Sequence, residues 1–454
     1  GFLDTLNVWT NDEETLDQTN DVLETSGAGS SFAYANNKVS AGTVHTCAIL
    51  DNGDLKCWGH DGYGQLGDGG SNTNLNAPSS TVIDLGSGRT AVAVDAGYYH
   101  TCAILDNGDL KCWGWDNNGQ LGDGGSNTNL NAPSSTAIDL GTGRTAVAVA
   151  AGDYHTCAIL DNGEAKCWGR DQGGQLGDGG SNTNLNAPSS TAIDLGTGRT
   201  AVAVAAGGSN TCAILDNGNL KCWGWDLYGQ LGDGGSNTNL LAPSSTAIDL
   251  GSGRTAVAMS IGTSYTCAIL DNGNLKCWGW DNNGQLGDGG GYTNLNAPSS
   301  TAIDLGTGRT AVAVAAGGSN TCAILDNGNL KCWGWDLYGQ LGDGGSNTNL
   351  LAPSSTAIDL GTGRTAVAMN AGYYHTCAIL DNGDQKCWGD DVYGQLGDGG
   401  TNTDQQSPTP ISGSDSWDSS TGASSGSGAS NFTASVEGAD LIIDEAMTNI
   451  TFQY

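Results

Sequence analysis

Short runs of apolar residues alternate with runs rich in glycine, asparagine, aspartate and serine, and this order repeats every 55 residues along the chain. The unit that starts at Cys102 contains four strand candidates, TCAIL, LKCWG, STAIDL and TAVAVAAG. Turn-forming segments separate them, namely DNG, a long polar loop and GTGR. Four short strands in a repeat of this length are typical of a propeller blade. We therefore predict an all-β, seven-bladed β-propeller of 55-residue, four-stranded repeats.

The two ends of the repeat array indicate a closed ring. The last repeat stops at residues 407–411 and lacks the strand TAVAVAAG. A segment of similar pattern, residues 37–42, lies just before the first cysteine. We predict that this N-terminal strand completes a blade begun at the C-terminal end, which closes the ring and removes open sheet edges.

The 14 cysteines form pairs whose partners are ten positions apart, and successive pairs are 55 positions apart. A three-residue turn at 51–53 fits a type I turn followed by a left-handed glycine. This register places Cys47 opposite Cys57 in a non-hydrogen-bonded pair, where a disulfide can form. The spacing does not match a zinc site. We predict one disulfide in each hairpin and hence an oxidising, extracellular or cell-surface location. The pairs are Cys47–Cys57, Cys102–Cys112, Cys157–Cys167, Cys212–Cys222, Cys267–Cys277, Cys322–Cys332 and Cys377–Cys387.

Charge narrows the range of partners. The chain carries 48 acidic and 15 basic residues, a formal net charge of −33. Its cations are spread evenly over the repeats, whereas binding along phosphates requires clustered cations, so we expect no nucleic-acid partner. The acidity is typical of a soluble extracellular protein, and an acid-lined site for cations or basic ligands is the alternative. No apolar stretch approaches the ~18 residues that cross a bilayer, so we expect no membrane insertion within this segment.

Composition also divides the chain into regions. The repeats are expected to form a monomeric propeller within a longer, multidomain surface protein, because both flanks differ from the repeats in composition. The predicted regions are an acidic linker or tail of a preceding domain at 1–32, the propeller at 33–411, a Ser/Gly-rich linker at 412–430, and the start of a truncated, immunoglobulin-like β domain at 431–454.

Residues that could support catalysis do not form a recognised motif. A Ser/His/Asp arrangement, paired carboxylates, a Walker loop and an H-E-x-x-H sequence are all absent, so we expect no enzyme activity, no cofactor and no metal. The loop at 122–129 lacks the pattern of a calcium loop, and calcium binding there is the less favoured alternative. A structural role is expected for the histidines, which share one repeat position in four blades: His45, His100, His155 and His375.

Two short windows vary between otherwise near-identical repeats. The first begins two residues after the recurring Trp, and the second follows the recurring Ala-Gly. Both lie at strand ends, and their residue types are enriched at binding hot spots. Drift in tolerant loops is the alternative explanation. The candidate ligand-binding residues are His60, Tyr63, Trp115, Arg170, Trp225, Tyr228, Trp280, Trp335, Tyr338 and Tyr393 in the first window, and Tyr99, Tyr154 and Tyr374 in the second.

The repeat resembles that of the regulator of chromosome condensation (RCC1) family. The shared pattern is A-G-x-x-H-T-x-A-I-L-x-x-G, then W-G-x-[DN]-x-x-G-Q-L-G, and it recurs over residues 38–411. The resemblance implies a seven-bladed propeller but little about activity, because one fold hosts many functions. The family includes a nucleotide-exchange factor for a nuclear GTPase, a plant ultraviolet sensor and secreted inhibitors of β-lactamase. The predicted disulfides distinguish this chain from the nuclear and cytosolic members.

These observations favour an extracellular recognition propeller that binds a protein or glycan ligand through its loops. The alternatives are a structural spacer module, an inhibitor of a secreted enzyme and a guanine-nucleotide exchange factor. Ultraviolet sensing would require clustered exposed Trp with Arg, and Arg170 is the only Arg outside the repeat pattern. Recognition and spacer functions differ in one consequence: a recognition propeller needs both windows on one contiguous face.

Overall fold

The chain forms a ring of seven blades around a central channel. The computed structural model describes residues 8–9, 38–125, 127–180, 182–345, 347–413, 436–437 and 440–442. Each blade, numbered here in chain order, has an inner strand beside the channel, a middle strand and a third strand, all paired antiparallel. These residues are all-β and contain no helix. Within them, therefore, no helical segment has the length and apolar character needed to cross a membrane.

The strands recur with nearly constant bounds. The inner strands are Val39–Ala41, Ala91–Ala96, Ala146–Ala151, Ala201–Ala206, Ala256–Ile261, Ala311–Ala316 and Ala366–Ala371. The middle strands are His45–Ile49, His100–Leu105, His155–Leu160, Asn210–Leu215, Tyr265–Leu270, Asn320–Leu325 and His375–Leu380. The third strands are Leu55–Gly59, Leu110–Gly114, Ala165–Gly169, Leu220–Gly224, Leu275–Gly279, Leu330–Gly334 and Gln385–Gly389.

The predicted fourth strand is regular only in blade 7, where Gln405–Pro410 pairs with the third strand. In blade 1 the equivalent segment makes a single bridge from Leu75 to Gly59 and a hydrogen bond from Ile83 to Leu55. The segment from 75 to 83 is longer than the facing stretch from 59 to 55, so it must loop outward between these two contacts. Six blades therefore have three strands where four were predicted. The seven-bladed, all-β propeller is confirmed.

The N-terminal strand Val39–Ala41 supplies the seventh inner strand, as predicted. It pairs with the middle strand of blade 1, with Ser40 opposite Cys47, and not with a strand of blade 7. The reason is a tight corner in which Gly42 N–H donates to the His45 carbonyl at 2.9 Å, which holds the strand beside the next one in sequence. The prediction that this strand completes a blade begun at the C-terminal end is therefore corrected.

The predicted hairpin register is confirmed. Cys47 lies opposite Cys57, Leu50 N–H donates to the Asp54 carbonyl at 2.8 Å, and Gly53 has a φ of 80°. The left-handed conformation at Gly53 explains the glycine of the turn. All seven predicted disulfides are present, and the described residues contain no free cysteine.

The hydrophobic core consists of seven layers, one between each pair of neighbouring blades. Each layer contains one fully buried Trp. Trp113, for example, packs against Ile49, Leu55 and Leu66 of the preceding blade. Because large aromatic residues contribute most to such cores, loss of one ring would cost about 3–5 kcal/mol. These layers hold the blades in a fixed geometry and so position the loops.

A polar ladder supports each layer. The Trp113 indole N–H and the Thr101 hydroxyl both donate to the Gln65 carbonyl of the preceding blade, at 3.0 and 2.8 Å. The His45 Nε2 lies 2.9 Å from the Thr101 hydroxyl. Burial lowers the pKa of His45 to about 3, so the imidazole is neutral at pH 7. At every interface, including the one between blades 7 and 1, the equivalent Gln carbonyl accepts hydrogen bonds from the Trp indole and from the Thr hydroxyl.

Three short strands belong to a second compact unit of the chain. In it, Val8–Trp9 pairs in parallel with Asp440–Ile442, which pairs antiparallel with Val436–Glu437. Most of the predicted linkers and the predicted truncated domain lie outside the described residues. The division at 1–32, 412–430 and 431–454 therefore stays a prediction.

Candidate binding face

Both variable windows lie at the same end of every blade. The middle strand starts, and the third strand ends, at this end, because the two are antiparallel. A backbone bond joins the windows in blade 2, where Trp115 N–H donates to the Tyr99 carbonyl at 2.9 Å. The equivalent bonds in the other blades join His60 to Val44, Arg170 to Tyr154, Trp225 to Ser209, Trp280 to Ser264, Trp335 to Ser319 and Asp390 to Tyr374. We call the surface formed by the thirteen candidate residues the aromatic face.

The largest cluster of rings on the aromatic face crosses four blades. The Tyr393 ring of blade 7 contacts His60 of blade 1, with centroids 4.7 Å apart. Tyr63 of blade 1 continues to Trp115 of blade 2 at 5.8 Å. Trp115 reaches Tyr154 of blade 3 at 5.5 Å. The two ends of the repeat array are therefore joined by ring contacts at this surface.

Two smaller clusters extend the aromatic face over the remaining blades. Tyr228 lies between Trp225 and Trp280, 5.8 Å from each centroid. In the other cluster, Trp335 contacts Tyr338 and Tyr374, with centroids 5.5 Å away in both cases. All these rings are half-buried, so each presents part of its surface to solvent. Together with the four-blade cluster, they place all thirteen candidate residues at one end of the propeller.

The aromatic face carries little charge at pH 7. Burial lowers the pKa of His60, and its Nδ1 accepts a hydrogen bond from Gln65 Nε2 at 2.7 Å. Burial raises the pKa of Tyr374 to about 12, so its phenol stays protonated. Arg170 is the candidate cation, and its guanidinium lies 5.1 Å from the Tyr154 ring centroid in a cation–π contact. This low charge contrasts with the net −33 of the whole chain.

Exposed aliphatic side chains lie next to the rings in three blades. Leu227, Leu337 and Val392 occupy equivalent positions in the first window and are 53%, 54% and 57% exposed. Each immediately precedes a tyrosine of the aromatic face in sequence. Apolar side chains that are half exposed to water at repeated positions are typical of an interaction surface rather than of a solvated loop.

The first residue after each Ala-Gly corner was left out of the predicted site. Three of these residues, Tyr98, Asp153 and Tyr373, carry large or charged side chains, and Asp153 and Tyr373 line the mouth of the channel. Tyr98 contacts Tyr99 and Tyr154, with centroids 4.2 and 5.5 Å away. The signal that identifies this position is the same variation between repeats that identified its neighbour.

The polar loops give no sign of a metal centre. In the loop after Leu121, the Asp123 carboxylate accepts a hydrogen bond from Gly125 N–H at 2.7 Å and so is used by the turn itself. Over the part of the chain that the structure describes, no group of three or more His, Cys, Asp or Glu side chains could hold a metal ion.

The fold and its aromatic face define a propeller scaffold with a clustered loop surface. A model of the RCC1-like domain matches residues 8–306, and models of the RCC1 repeat match 311–340, 366–395 and 327–379. The chain therefore belongs to the RCC1 repeat family.

Two curated proteins are similar to this chain in sequence, and one solved structure is similar to it in fold. The chain is 33% identical to the ultraviolet-B receptor UVR8 of Arabidopsis thaliana over 363 residues, which covers 80% of this chain and 78% of the receptor. It is 29% identical over 362 residues to the human E3 ubiquitin-protein ligase HERC2, covering 80% of this chain but 7% of that protein. The crystal structure of Prp20p from Saccharomyces cerevisiae is 21% identical with a TM-score of 0.69, over 80% of this chain and 87% of that one.

Proposed function

We propose that the propeller is an extracellular or cell-surface recognition module that binds a protein or glycan through the aromatic face. The observation that carries this proposal is the presence of both variable windows at one end of the propeller, where their rings form three clusters. The framework beneath repeats almost unchanged, while this surface differs between most blades; blades 4 and 6 carry the same residues in both windows. A spacer would have no need to gather its differences at one end.

The chemistry of the aromatic face supports a binding function. Trp, Tyr and Arg side chains dominate it, and these residue types are enriched at the centres of protein interfaces. The rings pack against one another, for example Tyr63 against Tyr99 at 4.8 Å, so each loses little freedom when a ligand binds. A preorganised surface of this kind favours affinity.

The location rests on the cysteines. Seven buried disulfides require an oxidising compartment to form and persist. The relatives named above carry no information on this point, so the location is tested separately. Mass-spectrometric mapping of the native protein under non-reducing conditions should find all seven pairs oxidised. Free thiols in the native protein would contradict an extracellular location.

The binding function can be tested with a glycan array and with a pull-down from secreted proteins, using the full chain as bait. The test variant combines Trp225→Ala and Trp280→Ala on the aromatic face. The matched control combines Arg254→Ala and Arg309→Ala at the opposite end of the same region. We expect the test variant to lose the captured ligand and the control to keep it. No ligand from either source, or equal loss in both variants, would contradict the proposal.

A further inference from the structure

The mouth of the channel, at the centre of the aromatic face, contains a cavity. Six Ala-Gly corners and the Ile261-Gly262 corner of blade 5 line it, together with Thr43, Asp153, Thr263 and Tyr373. The corners are so close that a Cβ on Gly42 would meet the Gly97 carbonyl oxygen at 2.5 Å, and this geometry recurs around the ring. The mouth is therefore rimmed by seven glycine corners whose backbone carbonyl groups lie near one another.

Asp153 is the one acidic side chain among the residues that line this cavity. Its Oδ2 lies 3.2 Å from the position of a Cβ on Gly208, so the carboxylate lies over a residue without a side chain. Burial raises the pKa of Asp153 to about 6, and the positive charge of Arg170 opposes this rise. The side chain is partly exposed to water, in the lining of the cavity.

The Asp153 carboxylate differs from the other carboxylate near the channel. Asp95 accepts hydrogen bonds from the Ser40 hydroxyl and from Ala151 N–H, both at 2.8 Å. Among the described residues, no such donor bonds to the Asp153 carboxylate. A carboxylate that is partly shielded from water and has no donor is stabilised when a ligand supplies one.

Three tyrosines lie in the neighbourhood of Asp153. Tyr154 follows it in the chain and contacts Tyr98, with ring centroids 5.5 Å apart, and Tyr373 lines the same cavity. The negative charge of Asp153 adds to the rise that burial causes in the pKa of all three phenols. Tyr154 already holds the Arg170 guanidinium over its ring, at 5.1 Å. A positive charge over a tyrosine beside Asp153 therefore occurs within the molecule itself.

We propose that the channel mouth binds an alkylammonium group, with Asp153 as its counter-ion and Tyr98, Tyr154 and Tyr373 as an aromatic wall. Aromatic walls with a nearby negative charge attract ammonium groups, whose three N–H donors suit a carboxylate and backbone carbonyls. The net charge of −33 attracts cations to the protein over a distance. This inference rests on the proposed function, because it names the group of the ligand that enters the centre of the same face.

The test measures binding of two probes to the full chain by titration calorimetry. The probes are n-butylammonium and the amide of Nα-acetyl-lysine, and their neutral matches are butan-1-ol and the amide of N-acetyl-norleucine. We expect both ammonium probes to bind and both neutral compounds to fail. Tighter binding of the lysine derivative indicates a side chain of a protein ligand as the source, and tighter binding of butylammonium indicates a free amine.

Variants assign the site. Asp153→Asn keeps the shape of the side chain and is expected to weaken binding of the ammonium probes at least tenfold. Asp51→Asn makes the same charge change in an exposed turn at the opposite end of the propeller and is expected to leave affinity unchanged. Equal affinity in wild type and Asp153→Asn, or binding of a neutral match, would overturn the inference. If only this inference fails, the Trp225→Ala/Trp280→Ala variant still loses the ligand captured in the pull-down.

Discussion

The two ends of the propeller are formed by the same strands but differ in their side chains. At the end away from the aromatic face, the Gly-Arg-Thr turn and the Asp-Asn-Gly turn meet in an ion pair that hardly varies. Its six described copies are Arg89–Asp106, Arg144–Asp161, Arg199–Asp216, Arg254–Asp271, Arg309–Asp326 and Arg364–Asp381, with N–O distances from 3.1 to 3.4 Å. The aromatic face has mainly uncharged rings that differ between most blades, although blades 4 and 6 share theirs.

This comparison separates structural repetition from functional variation. The ion pairs, the buried Trp layers and the disulfides repeat because every blade needs the same contacts within itself and with its neighbours. The aromatic face departs from that repetition although the same frame supports it. The departures include Arg170 over the Tyr154 ring in blade 3 and the small residues Gly208 and Ser209 in blade 4. We infer that the uniform end serves stability and the variable end serves recognition.

The largest expected effect is on ligand binding at the aromatic face. Replacing Tyr99 and Trp115 together by Ala removes the centre of the four-blade ring cluster. Two hot-spot residues contribute about 2 kcal/mol each or more, so affinity for the captured ligand should fall at least about 700-fold. Affinity is measured by surface plasmon resonance. Arg89→Ala, at the other end of the same blade, is the control, and an equal loss there would remove the distinction between the ends.

The next effect is on stability without binding. Replacing Cys212 and Cys222 by Ala opens the hairpin of blade 4 and should lower the free energy of unfolding by about 2.5–3 kcal/mol, from the loop-closure entropy of a ten-residue separation. Chemical denaturation measures this loss. Ligand affinity below the transition should stay as in wild type. A loss of affinity in the folded variant would show that the disulfides determine the shape of the aromatic face.

The buried histidines should make stability depend on pH. Burial lowers the pKa of His155 to about 3, so the folded state resists a proton that the unfolded chain takes up near pH 6.5. Stability is therefore lost as pH falls from 6.5 towards 3. His155→Asn should remove this pH dependence, because Asn does not titrate. Asn is accommodated at this position in blade 4, where it is Asn210.

The measurement is the difference in unfolding free energy between wild type and His155→Asn. This difference should fall by about 1.4 kcal/mol for each pH unit below 6.5. Burial raises the pKa of turn aspartates, such as Asp116 to about 6, which acts in the opposite direction. That contribution is the same in both proteins and cancels. A difference that is constant from pH 7 to 4 would show that His155 is protonated in the folded state.

The smallest effect is expected at the uniform end. Arg254 and Asp271 form an ion pair at 3.2 Å, with 38% and 34% of their side chains exposed. Exposed pairs of this kind contribute little, so Arg254→Ala should lower stability by no more than about 0.5 kcal/mol. Ligand affinity should not change. A larger loss in thermal unfolding would mean that these pairs are a main source of closure.

Local patterns in the sequence predicted the local structure. The hairpin register followed from the three-residue turn alone, so Cys47 and Cys57 could be placed opposite each other. The position of both windows at one end followed from strand direction. The placement of the N-terminal strand could not be derived in this way, because two sheets could accept it and the tight corner at Gly42 decides between them.

Contacts between blades were not readable from the pattern. The Gln65 carbonyl accepts bonds from Thr101 and Trp113, which are 36 and 48 residues away in sequence. Nothing in a single repeat reveals that pairing, although the invariance of this Gln in all seven repeats was visible. The role of Asp153 also depends on a meeting of blades, since its surroundings come from Tyr98 of one neighbour and Gly208 of the other.

The most direct test of the central claim is a footprint of the bound ligand. Hydrogen–deuterium exchange and carbene labelling of the full chain, with and without the captured ligand, report which end becomes protected. The account predicts protection at the windows around Tyr63, Tyr99, Trp115, Trp225 and Trp335, and unchanged labelling at the Gly-Arg-Thr turns. Protection of those turns, with the aromatic face still fully labelled, would contradict it.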